Sequence, residues 1–103
     1  MDTAIRVRTK LEGDLVQVRV LISHPMETGL RKDDAGELVP AHFIELVSFA
    51  HKEHTILSAQ WGPAVSRNPY LSFKFRGAAK GDKITISWLD NLGERWTDDA
   101  VIE

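Results

Sequence analysis

The stretch Leu15–Ser23, LVQVRVLIS, puts Val16, Val18, Val20 and Ile22 on one side of an extended chain. Leu15, Gln17, Arg19 and Leu21 fall on the other. This alternation has a period of two, the period of a strand and not of a helix. Its β-branched residues suit a pleated surface. One face fully apolar and one mixed face predict a central strand with a core on one side and looser contacts on the other.

The same period runs through the rest of the chain. Upstream, residues 4–9 set Ile5 and Val7 against Arg6 and Arg8, and Glu12–Asp14 reads as the turn between the two strands. Downstream, FIELVSFAH (Phe43–His51) is apolar on both faces, KEH is a turn and TILSAQWG is the next strand. GPAVSRNP (Gly62–Pro69) is a loop marked by Gly and Pro. YLSFKF alternates cleanly, and GAAKGD reads as a hairpin connection to KITISWL. DNLGE is a hairpin signal, and the last strand runs from about Arg95 to Ile102. About seven short strands at roughly ten-residue spacing, with no helical period, predict an all-β domain. The expected architecture is an immunoglobulin-like antiparallel β-sandwich forming one domain over residues 1–103, with a small barrel as the alternative.

Composition narrows the function classes. The net charge of −2 offers no general attraction to phosphate backbones or anionic lipid, so neither nucleic acid nor membrane is expected as a partner. With no cysteine, thiolate nucleophiles, disulfides, Fe–S clusters and Cys-type zinc sites are excluded. The start, MDTAIRVRTK, lacks the apolar run of a signal peptide.

The segment opening with HPMETGLR (His24–Arg31) has no periodicity for roughly seventeen residues, long for a loop in a compact domain. His24 and Met26 are ligand types that suit copper, His51 and His54 flank a turn, and His42 lies beside the loop. These are pairs, whereas a metal site needs three or four converging ligands, and no HExxH spacing occurs. Ser23 adjoins His24 without a GxSxG elbow, and Asp33, Asp34, Asp98 and Asp99 look like solvated turn residues. GAAKG joins two strands, whereas a phosphate loop runs from strand into helix. Neither a catalytic residue nor a cofactor is expected.

Partner contact is the remaining class. A strand apolar on both faces, with Phe43, Val47 and Phe49 on one and Ile44, Leu46 and Ala50 on the other, needs a second cover. The cover is either another chain or the long loop folded back through Met26, Leu30 and Leu38; pattern alone does not choose. Trp61, Pro63, Tyr70 and Trp96 could enlarge such a surface.

Four blocks stand out: HPMETGLRKD (24–33), LVPAHFIE (38–45), LSAQWGPAVSRNPYLSFKF (57–75) and GDKITISWLDNLGE (81–94). Taken together they resemble the SoxZ family of the thiosulfate-oxidising Sox system. The resemblance implies an immunoglobulin-like, non-catalytic subunit of the SoxYZ carrier. It further implies a heterodimer with SoxY, whose C-terminal cysteine carries sulfur intermediates, and transient contacts with other Sox enzymes. Export to the periplasm would be together with SoxY, consistent with the missing signal peptide. The interface candidates are His24, Met26, Leu30, Arg31, Phe43, Val47, Trp61 and Pro63. Trp96 departs from the polar residue expected there. A copper-binding sandwich remains the alternative, and an iron-site sandwich of the superoxide reductase type would want a cysteine ligand that is missing.

Overall fold

A computed structural model describes residues 5–103. They form seven strands: β1 (Ile5–Glu12), β2 (Leu15–Ile22), β3 (Ile44–His51), β4 (His54–Gln60), β5 (Tyr70–Arg76), β6 (Lys83–Asp90) and β7 (Arg95–Val101). All pairings are antiparallel, in one sheet of order β1-β2-β5 and another of order β4-β3-β6-β7. This is the sandwich and not the barrel. Ala4, expected to open the first strand, lies outside the described residues.

The alternation in β2 has the predicted consequence. Val16, Val18, Val20 and Ile22 are fully buried and meet Ile44, Val47 and Phe49 of β3 and Ile84, Ile86 and Trp88 of β6. Phe73 stacks on Phe49 with ring centroids 4.8 Å apart. Trp96 sits opposite Trp88 in the β6–β7 register and packs against the core, so it is not the surface substitution expected from the sequence.

Two details depart from the alternation. The β3–β6 register shifts between Ile44 and Leu46, a bulge that puts two residues of β3 against one of β6. It reverses the phase, so Ile44 shares the core face with Val47 and Phe49, while Phe43 is only partly buried at the core's edge. GAAKGD, expected as a hairpin, instead carries the chain from β5 in one sheet to β6 in the other. Which strands pair is decided by packing between distant segments, which a local turn signal does not encode.

Phe49 is fully buried between the two sheets, so Phe49→Ala should cost about 3–5 kcal/mol through lost burial and a residual cavity. Urea unfolding followed by tryptophan fluorescence measures this; a loss under about 1 kcal/mol would mean the sheets collapse to refill the space.

Candidate functional site

The HPMETG segment is tied down from its first residue. His24 is buried, and its backbone N–H donates to Asn68 Oδ1 at 3.1 Å while its carbonyl accepts from Asn68 N at 3.0 Å. Two residues later Met26 takes φ 48°, a left-handed conformation unusual for a side chain of its size. That bend lets Met26 N–H donate to His24 Nδ1 at 3.1 Å and drops the Met26 side chain into the core. Its Sδ accepts from Ile44 N–H at 3.4 Å. Gly29, at φ 86°, then passes so near Ala41 that an added Cβ would lie 3.2 Å from the Ala41 Cβ. The positive φ favours glycine there, and the near approach to Ala41 adds to the preference.

The tautomer of His24 follows from these partners. With Nδ1 accepting from Met26, the proton sits on Nε2, which donates to Asp90 Oδ2 at 3.2 Å. His42 Nε2 donates to the same oxygen at 2.7 Å. Asp90 Oδ1 accepts from the backbone N–H groups of Leu92 and Glu94 at 3.0 and 2.9 Å. One buried carboxylate therefore takes four N–H groups from three separate parts of the chain. Asn91 adds a second tie, donating to Ala41 O at 2.9 Å and accepting from Phe43 N–H at 2.7 Å. Asp90, the residue at the centre of the cluster, was legible in the sequence only as the first letter of a hairpin turn.

Electrostatics follow from burial and these bonds. Burial lowers the His24 pKa, and its bond to Asp90 only partly offsets this. Burial acts to raise the Asp90 carboxyl, but the N–H groups of His42, His24, Glu94 and Leu92 outweigh it and hold the pKa below 3.8.

His24, His42 and Asp90 are the one group of metal-ligand types that converges among the described residues, with ligand atoms within 4.8 Å of one another. The hydrogen bonds do not suit a metal. A metal on His24 Nε2 would move the ring proton to Nδ1, where it would face the Met26 N–H. Met26 Sδ is engaged with the backbone of β3. The same bonds leave His24 no free nitrogen to take a proton from Ser23. His51 and His54 stand opposite each other in the β3–β4 register, but the His51 ring bonds to Asp82 at 2.8 Å and His54 is exposed.

The interface candidates separate by position. His24, Met26 and Val47 are buried and have no surface to offer. Leu30 is 81% exposed and Leu38 59%, so the long loop does not cover β3 through them; Met26 alone of the three turns inward. Arg31 is exposed and makes a bidentate pair with Glu27 at 2.8–3.1 Å. Pro63 is exposed. Phe43 and Trp61 come together: with Leu46 and Leu89 they line an open groove on the outer side of β3 and β6, edged by Glu45 and Gln60. Trp61 N–H donates to Glu45 O at 2.9 Å, which holds it beside β3. Leu89 was not among the expected residues; its place as the outward neighbour of Trp88 is the signal that points to it.

The model of the family "Sulphur oxidation protein SoxZ" matches residues 5–101. No curated protein sequence matches the chain. Among solved structures, a hypothetical protein from Pyrococcus horikoshii is similar at 19% identity and TM-score 0.66, over 98% of this chain and 88% of that one. The E12Q mutant of a superoxide reductase (neelaredoxin) from Archaeoglobus fulgidus is similar at 16% identity and TM-score 0.70, over 97% and 89%. One from Ignicoccus hospitalis is similar at 16% and 0.65, over 98% and 80%. At these identities the likeness is one of fold.

The Asp90 cluster makes two predictions. Asp90→Ala should destabilise the chain by about 2–4 kcal/mol, because it strands the buried His24 donor and three part-buried ones. Chemical denaturation would show it, and a loss below about 1 kcal/mol would contradict the central role. The pH profile carries the sign of each shift. The folded His24 pKa lies below the ordinary 6.5, so the unfolded chain takes up the proton first and stability falls as pH drops below about 6.5. The Asp90 contribution is present above 3.8 and is lost as pH falls through its lower folded value. Urea midpoints from pH 8 to 3 should show both declines, and His24→Gln should flatten the first.

The match over residues 5–101 places the chain in the SoxZ family, with a role in Sox sulfur oxidation.

Proposed function

We propose that the chain is the non-catalytic scaffold of a two-chain sulfur carrier. Its partner is SoxY, whose C-terminal cysteine holds sulfur intermediates during thiosulfate oxidation. The pair works in the periplasm, exported together on the signal of the SoxY precursor. One observation carries the reading of the partner surface: the centre of the outer face of the four-stranded sheet is uncharged and open, with Arg95 and Asp99 on its β7 edge and Lys83 at one end. Across it run Leu46 beside Leu89, Ser48 beside Ser58 and Ser87, and Ser87 beside Thr97. Ser48 and Ser87 bond to each other at 2.9 Å, so their hydroxyls lie down on the sheet. Phe43, Leu46, Trp61 and Leu89 give one end its apolar area. Loss of charge at the centre and aromatic anchors at one side are features of lasting interfaces. The family and the closed hydrogen bonding of the histidines favour a scaffold over the copper-binding alternative.

Co-expression with SoxY and native mass spectrometry test this directly. A 1:1 complex, with added sulfur mass on SoxY alone, is expected. A chain that ignores SoxY and retains stoichiometric metal would sink the scaffold reading. For the surface, Phe43→Asp with Leu46→Asp should weaken SoxY binding at least tenfold, about 1.4 kcal/mol or more, while the far-UV spectrum holds. Met26 is unsuitable as a probe because a charge there would unfold the core. Unchanged affinity in the double variant would move the interface elsewhere.

A further inference from the structure

The outer face of the three-stranded sheet has the opposite character. The β1–β2–β5 registers line up Arg6 with Leu21 and Tyr70, Arg8 with Arg19 and Ser72, Lys10 with Gln17 and Lys74, and Glu12 with Leu15 and Arg76. Six of the thirteen lysines and arginines thus stand on one exposed face of a chain whose net charge is −2. Lys10 pairs with Glu12 at 3.0 Å and Arg76 with Asp14 at 2.7 Å. Arg6, Arg8, Arg19 and Lys74 have no ion-pair partner among the described residues. Arg8 and Arg19 are direct cross-strand neighbours, an arrangement that destabilises a sheet. The fold does not ask for it, because any polar residue would serve on an open face.

We infer that this face docks, briefly and by charge, the acidic surface of another protein. The inference rests on the reading of the chain as a carrier subunit, which has to meet successive enzymes and leave them. The hollow of about 290 Å³ between Arg8, Lys10, Gln17 and Arg19 is open to solvent and does not enclose a small anion. Three strands of about eight residues span on the order of 400 Å². A stable partner covers about 800 Å², so this area suits a short encounter whose on-rate is steered by charge. Tyr70, 62% exposed, and Leu21, 39% exposed, form an apolar pair beside Arg6 at one end and give the encounter a fixed register. The rest of the chain is net acidic, which would repel a long polyanion running past the patch and fits a compact acidic protein surface instead.

The test uses the complex with SoxY in a reconstituted thiosulfate-oxidising assay, comparing wild type with the Arg8→Glu, Arg19→Glu double variant. In the variant, kcat/KM of a Sox enzyme for the carrier should fall about tenfold at low salt, with kcat held and the salt dependence flattened. Native mass spectrometry should show the SoxY complex intact. Arg19→Gln is the folding control, with a Tm at or above wild type. An intact complex with unchanged kcat/KM and salt slope would overturn docking and leave the scaffold reading standing. Loss of the complex in the double variant would place this face in the lasting interface and overturn it too. Should the wild-type chain form no complex, the earlier reading fails by itself. The face is then tested by NMR titration of the chain with a poly-L-glutamate peptide, where shifts confined to β1, β2 and β5 support the inference and their absence overturns it. Tighter binding of a 20-base-pair DNA duplex than of that peptide would also overturn it, as would self-association of the chain at low salt.

Discussion

The carboxylate of Asp90 is the point through which the two ends of the molecule's most irregular segment are held. It terminates β6, caps its own hairpin through two backbone N–H groups and draws in His24 and His42 on its other oxygen. A buried anion is costly unless its acceptor sites are filled, and here they are filled by donors from distant parts of the chain. Remove the carboxylate, and the segment from His24 to His42 loses its histidine tie to the end of β6, keeping only the bonds through Asn68, Asn91 and Met26. Met26 would then lose the turn that seats it under β3. The groove formed by Phe43 and Trp61 rests on this arrangement, since Asn91, next to Asp90, holds Phe43 in place.

Much of the fold is legible because burial and alternation coincide. Val16 to Ile22 needs no context to be read as a strand, and DNLGE needs none to be read as a hairpin. What is not legible is set by pairing over distance. The bulge at Ile44–Leu46 inserts a residue into one strand only, so the face of Phe43 cannot be inferred from parity. GAAKGD has the residues of a tight turn, yet the strands it joins find different partners. In the site, an aspartate before Asn-Leu-Gly signals self-capping, since Asx side chains bond the backbone two residues on. Nothing local says that its second oxygen meets histidines 66 and 48 positions away. Histidines that look like candidate ligands thereby become donors.

The two outer faces of the sandwich divide the work that one core supports. Both belong to antiparallel sheets with a buried inner side, and burial places no demand on their outward residues. One face carries serine, threonine and leucine at its centre with charges of both signs at its β7 edge, and the other carries mostly arginine and lysine. On the proposed reading, such a contrast lets one small domain hold a lasting partner on one side and present a charged side to others. The thickness between the two is that of a single core layer, about 10 Å.

Within these 103 residues there is no thiol, and the core is closed by valine, isoleucine, phenylalanine and tryptophan. In a pathway where sulfur passes from atom to atom by nucleophilic exchange, every accessible thiolate is a rival acceptor. A scaffold whose sulfur is confined to methionine thioethers offers none. On the proposed carrier reading, a sulfur species held on SoxY can therefore be brought close to this chain without being captured by it, and oxidants or reductants find no disulfide here to break.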